Sequence, residues 1–269
     1  MAKEELWKLN KEKLPFGKGI AGEEVYSFHQ LEELRETVRL AITQRSIASV
    51  TGQAGTGKTC GVRSVTDDLP PNKFHVLYIG QDYDGGNLCR RIAQGLGLVA
   101  KRLRSHTWMQ VSQYLCDNLA EQGKQIVIVV DEAHLLSATT LEELRLLMNA
   151  DFDRSSPLSI ILVGQLPLRA MLKAPGFEAL NQRLRYRYSL DGFTEEETAG
   201  YIKHHLRLSG LPENIFKPEA VKQIFQAARG ILREINNFCL LALIRAEAAG
   251  VSHVDAKLIK EILEQRELS

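Results

Sequence analysis

Apolar positions follow two regimes along this chain. Up to about residue 190, short continuous apolar runs alternate with stretches of helical spacing. The runs Ile47–Thr51, Phe74–Ile79, Ile126–Val130, Ser159–Val163 and 184–189 predict five strands. Residues 126–130 are apolar at every position, as in a strand buried on both faces. Leu31, Leu34, Val38 and Ala41 recur at helical spacing and predict a helix over 29–44. Further helices are predicted at 60–68, 86–97, 106–121, 139–149 and 167–173. Strands alternating with helices imply a parallel sheet covered on both faces.

After Leu190 the texture changes. Asp191-Gly192-Phe193-Thr194 followed by three glutamates reads as a break, a helix cap and an acidic first turn. From there only helical patterns occur, at 194–209, 218–228, 231–249 and 254–267, punctuated by Gly210-Leu211-Pro212 and Gly250-Val251-Ser252. The expected organisation is an extended N-terminal arm (1–30), an α/β nucleotide-binding domain (31–190) and a small all-helical lid (191–269).

Composition adds limits. The 269 residues are 44% hydrophobic and 25% charged with a net charge of +1, so an acidic partner must be met by a local patch. Four scattered cysteines fit reduced thiols in a reducing compartment. The charged N-terminus lacks a signal-peptide pattern, and apolar runs are too short to span a bilayer, so a cytoplasmic protein without membrane contact is expected.

The chemistry starts at Gly52–Thr59, which matches G-x-x-x-x-G-K-[ST] between a strand and a helix. Such a loop curls backbone N–H groups around phosphates at a helix N-terminus. Its lysine reaches the β and γ phosphates, and its hydroxyl ligates Mg²⁺. Gly52, Gln53, Ala54, Gly55, Thr56, Gly57, Lys58, Thr59 and Cys60 are therefore the expected nucleotide-binding set, with ATP and Mg²⁺ as cofactors. The third strand ends in Asp131-Glu132-Ala133-His134. A carboxylate at the C-terminal tip of a buried strand suits Mg²⁺, and its neighbour suits orienting or deprotonating water. Asp131 and Glu132 take those parts; the competing reading is two acids capping the next helix.

Gln165, after the fourth strand, is placed to touch the γ phosphate or the water, unless it is a solvent-facing loop amide. Strand alternation puts Arg183, Arg185 and Arg187 on one face. Arg183 is the candidate to act in a neighbouring subunit's site, against a plain basic strand edge. Arg90, Arg91, Lys101, Arg102, Arg104 and Thr107 form a basic and hydroxyl set of the kind that binds phosphate backbones, or else a solvated face. The histidines form no metal set.

Taken together, the phosphate loop, Asp131-Glu132, Gln165, the arginines near 183 and Gly230-Ile231-Leu232-Arg233 resemble an AAA+ ATPase. The runs 131–136, 141–149, 162–165 and 184–188 are especially similar to the ExeA/GspA-like ATPase domain. That domain occurs in secretion ATPases and in stand-alone transposition regulators of the TnsC, TniB, MuB and IstB type. Because the sequence stops at Ser269, just after the lid, the resemblance implies the second setting. It implies a P-loop AAA+ fold, ATP-dependent assembly as a ring or filament on double-stranded DNA, a transposase partner, and disassembly on hydrolysis. It gives Lys58, Thr59, Asp131, Glu132, Gln165, Arg183 and Arg233 the nucleotide roles and places DNA contact after the second strand. The alternatives are an ATPase of a secretion or envelope apparatus, and a non-hydrolysing switch or loader-like clamp.

Overall fold

The computed structural model describes residues 7–10, 14–17, 24–80, 88–149 and 156–267. They form two compact units. One holds residues 29–52 and 58–190, the other residues 1–28, 53–57 and 191–269.

The first unit is built on five parallel strands: β1 (Ile47–Gly52), β2 (Phe74–Ile79), β3 (Gln125–Val130), β4 (Leu158–Gly164) and β5 (Leu184–Leu190). Their order is β2-β3-β4-β1-β5. Every residue of β1 and β4 is buried, and so is β3 after Gln125, because these three strands are central and covered on both faces. The edge strands β2 and β5 are only partly buried. α1 (His29–Thr43) precedes β1, and between the strands run α2 (Lys58–Thr66), α3 (Leu88–Gly95), α4 (Arg104–Ala120), α5 (Ala138–Leu147), α6 (Leu166–Lys173) and α7 (Glu178–Arg183). Leu31, Leu34, Val38 and Ala41 are the buried stripe of α1. The first two positions expected in the 86–97 helix lie outside the described residues.

The core of this unit joins Ile47, Ile128, Val130, Ile160 and Leu162 to Ile92, Leu115, Leu144 and Leu168. A parallel sheet sends its strand ends to one edge. The loops after β1, β3 and β4 therefore emerge side by side, with β4 paired to both of its neighbours.

Among its described residues the second unit holds four α-helices: α8 (Glu195–Leu208), α9 (Pro218–Ala228), α10 (Leu232–Ala249) and α11 (Ala256–Glu267). Thr194 caps α8 in a capping box, accepting from Glu197 N while the Glu197 carboxylate accepts from Thr194 N. Ile202, Leu206, Ile224, Ile235, Leu243 and Ile259 make its core.

The N-terminal stretch was expected to be an extended arm. Residues 1–6, 11–13 and 18–23 lie outside the described residues. The described pieces are not free: Trp7 and Phe16 are buried within the helical core. Trp7 donates its indole N–H to the Ser252 carbonyl at 2.8 Å. Phe16 stacks on His205 with ring centroids 5.0 Å apart, and its backbone N–H donates to His205 Nδ1 at 3.3 Å. Tyr26 and Phe28 add aromatic contacts to Phe193. Aromatic residues carry large apolar area, so this stretch closes the helical core.

Candidate nucleotide site

The Gly52–Thr59 loop leaves β1 and enters α2 at Lys58. Gly55 and Gly57 sit at φ 82° and 93°, a region costly for residues with a Cβ. Space is closed as well. A Cβ on Gly55 would lie 2.8 Å from Arg233 Cβ, and one on Gly57 would lie 2.9 Å from Leu232 Cδ1. Thr56 closes the turn, its hydroxyl donating to the Gln53 carbonyl at 3.0 Å. Lys58 is buried, and its ammonium donates to the Gly52 carbonyl at 3.1 Å. The first N–H groups of a helix have no intrahelical acceptor, so the start of α2 offers donors to an anion. Gln53, Ala54 and Cys60 are exposed.

Across the sheet edge, the Thr59 hydroxyl donates to Asp131 Oδ2 at 2.9 Å. Asp131 Oδ1 accepts from Glu132 N at 2.8 Å, so both carboxylate oxygens are held. Two hard oxygen atoms at hydrogen-bond distance suit Mg²⁺, which completes its shell with water and phosphate rather than with a full protein cage. Among the described residues no group of three His, Cys, Asp or Glu side chains could hold a metal ion.

Glu132 has φ 51° and ψ 36°, the left-handed region, at the start of a short 3₁₀ turn, Ala133–Leu135. This uncommon backbone state for a glutamate turns its side chain from the strand line toward its neighbours. Gln165 Nε2 donates to Glu132 Oε2 at 3.4 Å. His134 Nδ1 stands 3.4 Å from both Glu132 Oε2 and Gln165 N. One ring nitrogen serves one partner at a time. It accepts from the Gln165 amide when Nδ1 carries no hydrogen and donates to Glu132 when it carries one. His134 carries no role in the sequence reading; its signal was the fourth place of Asp-Glu-Ala-His.

The structure separates the three arginines expected on one face. Arg183 is the last residue of α7, a helix too short to show periodicity, and it donates to Asn149 Oδ1. Arg185 is exposed and donates to Gln44 Oε1 at 3.0 Å. Here the β1–β5 register slips: Ile47 pairs with Leu184 and Ala48 with Tyr186. Arg187 caps α7, donating to the carbonyls of Leu184 and Asn181 and to Asn181 Oδ1. Arg233 is the second residue of α10, exposed, and its backbone N–H donates to the Gly55 carbonyl at 3.1 Å.

Of the basic set, Arg90, Lys101, Arg102 and Arg104 are exposed and Arg91 is half-buried. Arg104 forms an ion pair with Glu143 at 2.7 Å. Thr107 does not belong to an exposed set. It is 2% exposed, and its hydroxyl donates to the Lys101 carbonyl at 3.2 Å. One helical turn past Arg104 it faces inward, where its hydroxyl ties down the 101–103 turn.

The sheet order, the phosphate loop and the helical unit define a P-loop fold of the AAA+ class, a class of nucleotide-binding ATPases. The family model of the AAA domain matches residues 40–172. The chain is related to AAA+ ATPases of the ExeA/GspA type. It is 33% identical over 222 residues to general secretion pathway protein A of Aeromonas hydrophila, covering 78% of this chain and 39% of that protein. It thus spans well under half of that relative's length.

Solved structures show the same fold at low identity. Cdc6p from Pyrobaculum aerophilum superposes with a TM-score of 0.68 at 16% identity, over 89% of this chain and 67% of that one. The Aeropyrum pernix ORC1 protein, in complex with DNA, gives 0.65 at 15%, over 88% and 64%. The Thermotoga maritima RuvB Holliday junction branch migration motor gives 0.55 at 18%, over 87% and 68%. Among the described residues no helix is long and apolar enough to cross a membrane.

Proposed function

We propose that the chain hydrolyses ATP with Mg²⁺ and regulates DNA transposition by assembling on double-stranded target DNA and engaging a transposase. The carrying observation for hydrolysis is the Thr59–Asp131–Glu132–Gln165 constellation. In this reading Lys58 binds the β and γ phosphates, Thr59 and Asp131 hold the metal, and Glu132 orients and deprotonates the attacking water. Gln165 keeps Glu132 in place and reads the γ phosphate. Mg²⁺, when bound, neutralises charge developing on the phosphate oxygens. Arg183 acts on a neighbouring subunit's nucleotide, and Arg233 reports nucleotide state to the lid. The exposed Arg90, Lys101 and Arg102 favour a DNA backbone as partner. Negative-stain imaging with long duplex DNA and non-hydrolysable ATP tests the assembly. Coated DNA is expected; bare DNA in every field overturns it.

The relation to general secretion pathway protein A favours a second reading, an ATPase of a secretion or envelope apparatus. That reading predicts no DNA coat and no stimulation of ATP turnover by duplex DNA.

A further inference from the structure

Away from the phosphate loop, a cavity of about 210 Å³ opens against β1 and β5, with α6 forming its other wall. None of its lining residues belongs to the loop, to Asp131-Glu132 or to Gln165. Three cations line it: Arg169 and Lys173 from α6, and Arg187 from β5. No carboxylate is among its described lining residues.

This arrangement is unfavourable by itself. Arg169 and Lys173 are spaced i, i+4 on one helix, where like charges destabilise. Neither has a hydrogen bond or ion pair among the described residues. Arg187 is pre-set by its bonds to Leu184 and Asn181, which use Nε and Nη2. The Ser49 side chain is a second sign. It is 4% exposed, lines the cavity, and its hydroxyl has no partner among the described residues. Thr51 differs, since its hydroxyl already donates to the Tyr188 carbonyl at 3.2 Å. Three exposed cations and an unused hydroxyl donor line one hollow, where an oxyanion would offset the like charges and accept from Ser49.

We propose that this cavity binds the phosphate group of a small phosphate ester. The volume exceeds a bare phosphate, and Leu172, Leu184 and the Tyr188 ring supply an apolar wall for the organic part. A hollow with an apolar wall suits a small ester better than a duplex backbone, which offers only phosphate and sugar. The proposal does not depend on the DNA reading.

The test uses the full chain carrying Lys58→Ala, which weakens phosphate binding at the loop. Inorganic pyrophosphate is titrated by calorimetry and by amide chemical shifts. Binding with shifts at Ser49, Thr51 and Ser189 is expected. Adding Arg169→Ala with Lys173→Ala should weaken it roughly tenfold or more, and Ser49→Ala by a smaller factor. In the chain with Lys58 intact, the Arg169/Lys173 pair of changes should leave ADP affinity unchanged, which separates this cavity from the nucleotide site. Absence of pyrophosphate binding overturns the proposal, as do shifts confined to residues 52–60. Loss of duplex DNA binding in the Arg169/Lys173 variant, without pyrophosphate binding, also overturns it and assigns the cations to the DNA surface.

Discussion

At the scale of single residues, backbone geometry and hydrogen bonding decide which of two neighbouring acids does what. Asp131 has both oxygens engaged, one by Thr59 and one by the amide of Glu132. Glu132, in the left-handed region, meets only long contacts among the described residues, from Gln165 Nε2 and His134 Nδ1, each at 3.4 Å. A tightly held carboxylate suits a metal, and a loosely held one suits a base. Glu132→Gln is therefore expected to keep nucleotide affinity and to slow ATP turnover by roughly 10²–10⁴. Phosphate release beside fluorescent-nucleotide binding checks both halves, and normal turnover sinks the assignment.

His205 makes the second residue-scale prediction. Burial, with a lesser effect of neighbouring His204, pushes its pKa down to about 4. Its Nδ1 accepts from Phe16 N, which requires the neutral ring. The folded pKa lies below the ordinary value of about 6.5, so the unfolded chain takes up the proton first. The stabilisation is complete above about pH 6.5 and is lost as pH falls toward 4, on the order of 3 kcal/mol. His205→Asn keeps an acceptor that cannot charge, so the unfolding temperature of that variant should vary much less across this window. An equally steep pH profile in the variant would contradict this account.

Elements carry the next level of control. The loop between β1 and α2 works because Gly55 and Gly57 adopt positive φ where Arg233 and Leu232 leave no room for a Cβ. Gly55→Ala pays on the order of 1–2 kcal/mol for backbone conformation, with the clash against Arg233 in addition. Its expected signature is a lowered unfolding temperature together with loss of nucleotide affinity, while Gln53→Ala, at an exposed position, changes stability little. Denaturant titration and nucleotide binding on the two variants provide the comparison. The apolar runs of β1, β3 and β4 announced themselves because central strands need apolar side chains on both faces. Helix α7 did not, since six residues of which only Leu180 is buried leave no periodic trace. That omission displaced Arg183 from a strand approach to a helix end.

On the scale of the whole molecule, a net charge of +1 means that any binding to a polyanion is local. The structure narrows the basic set by placing Thr107 inside and pairing Arg104 with Glu143. Arg90, Lys101 and Arg102 are then the groups expected on the phosphate backbone. Replacing any one with Ala should reduce the slope of log affinity against log salt by about one and weaken all duplex sequences alike. Filter binding across a salt series measures this, and unchanged slopes in all three variants would remove this surface from the DNA reading.

The sequence by itself determined the five strands, the helical lid, the phosphate loop and the acidic pair. These depend on local periodicity and on motifs whose members lie within a few residues of one another. It left open whatever depends on chain segments meeting across long separations. Only the tertiary structure brought His134 beside Gln165, and Trp7 and Phe16 into the helical core. It alone turned Thr107 inward and gathered Arg169, Lys173 and Arg187 around one hollow. The burial of a single polar residue and the proximity of distant charges are set by packing between remote segments, which local periodicity does not encode.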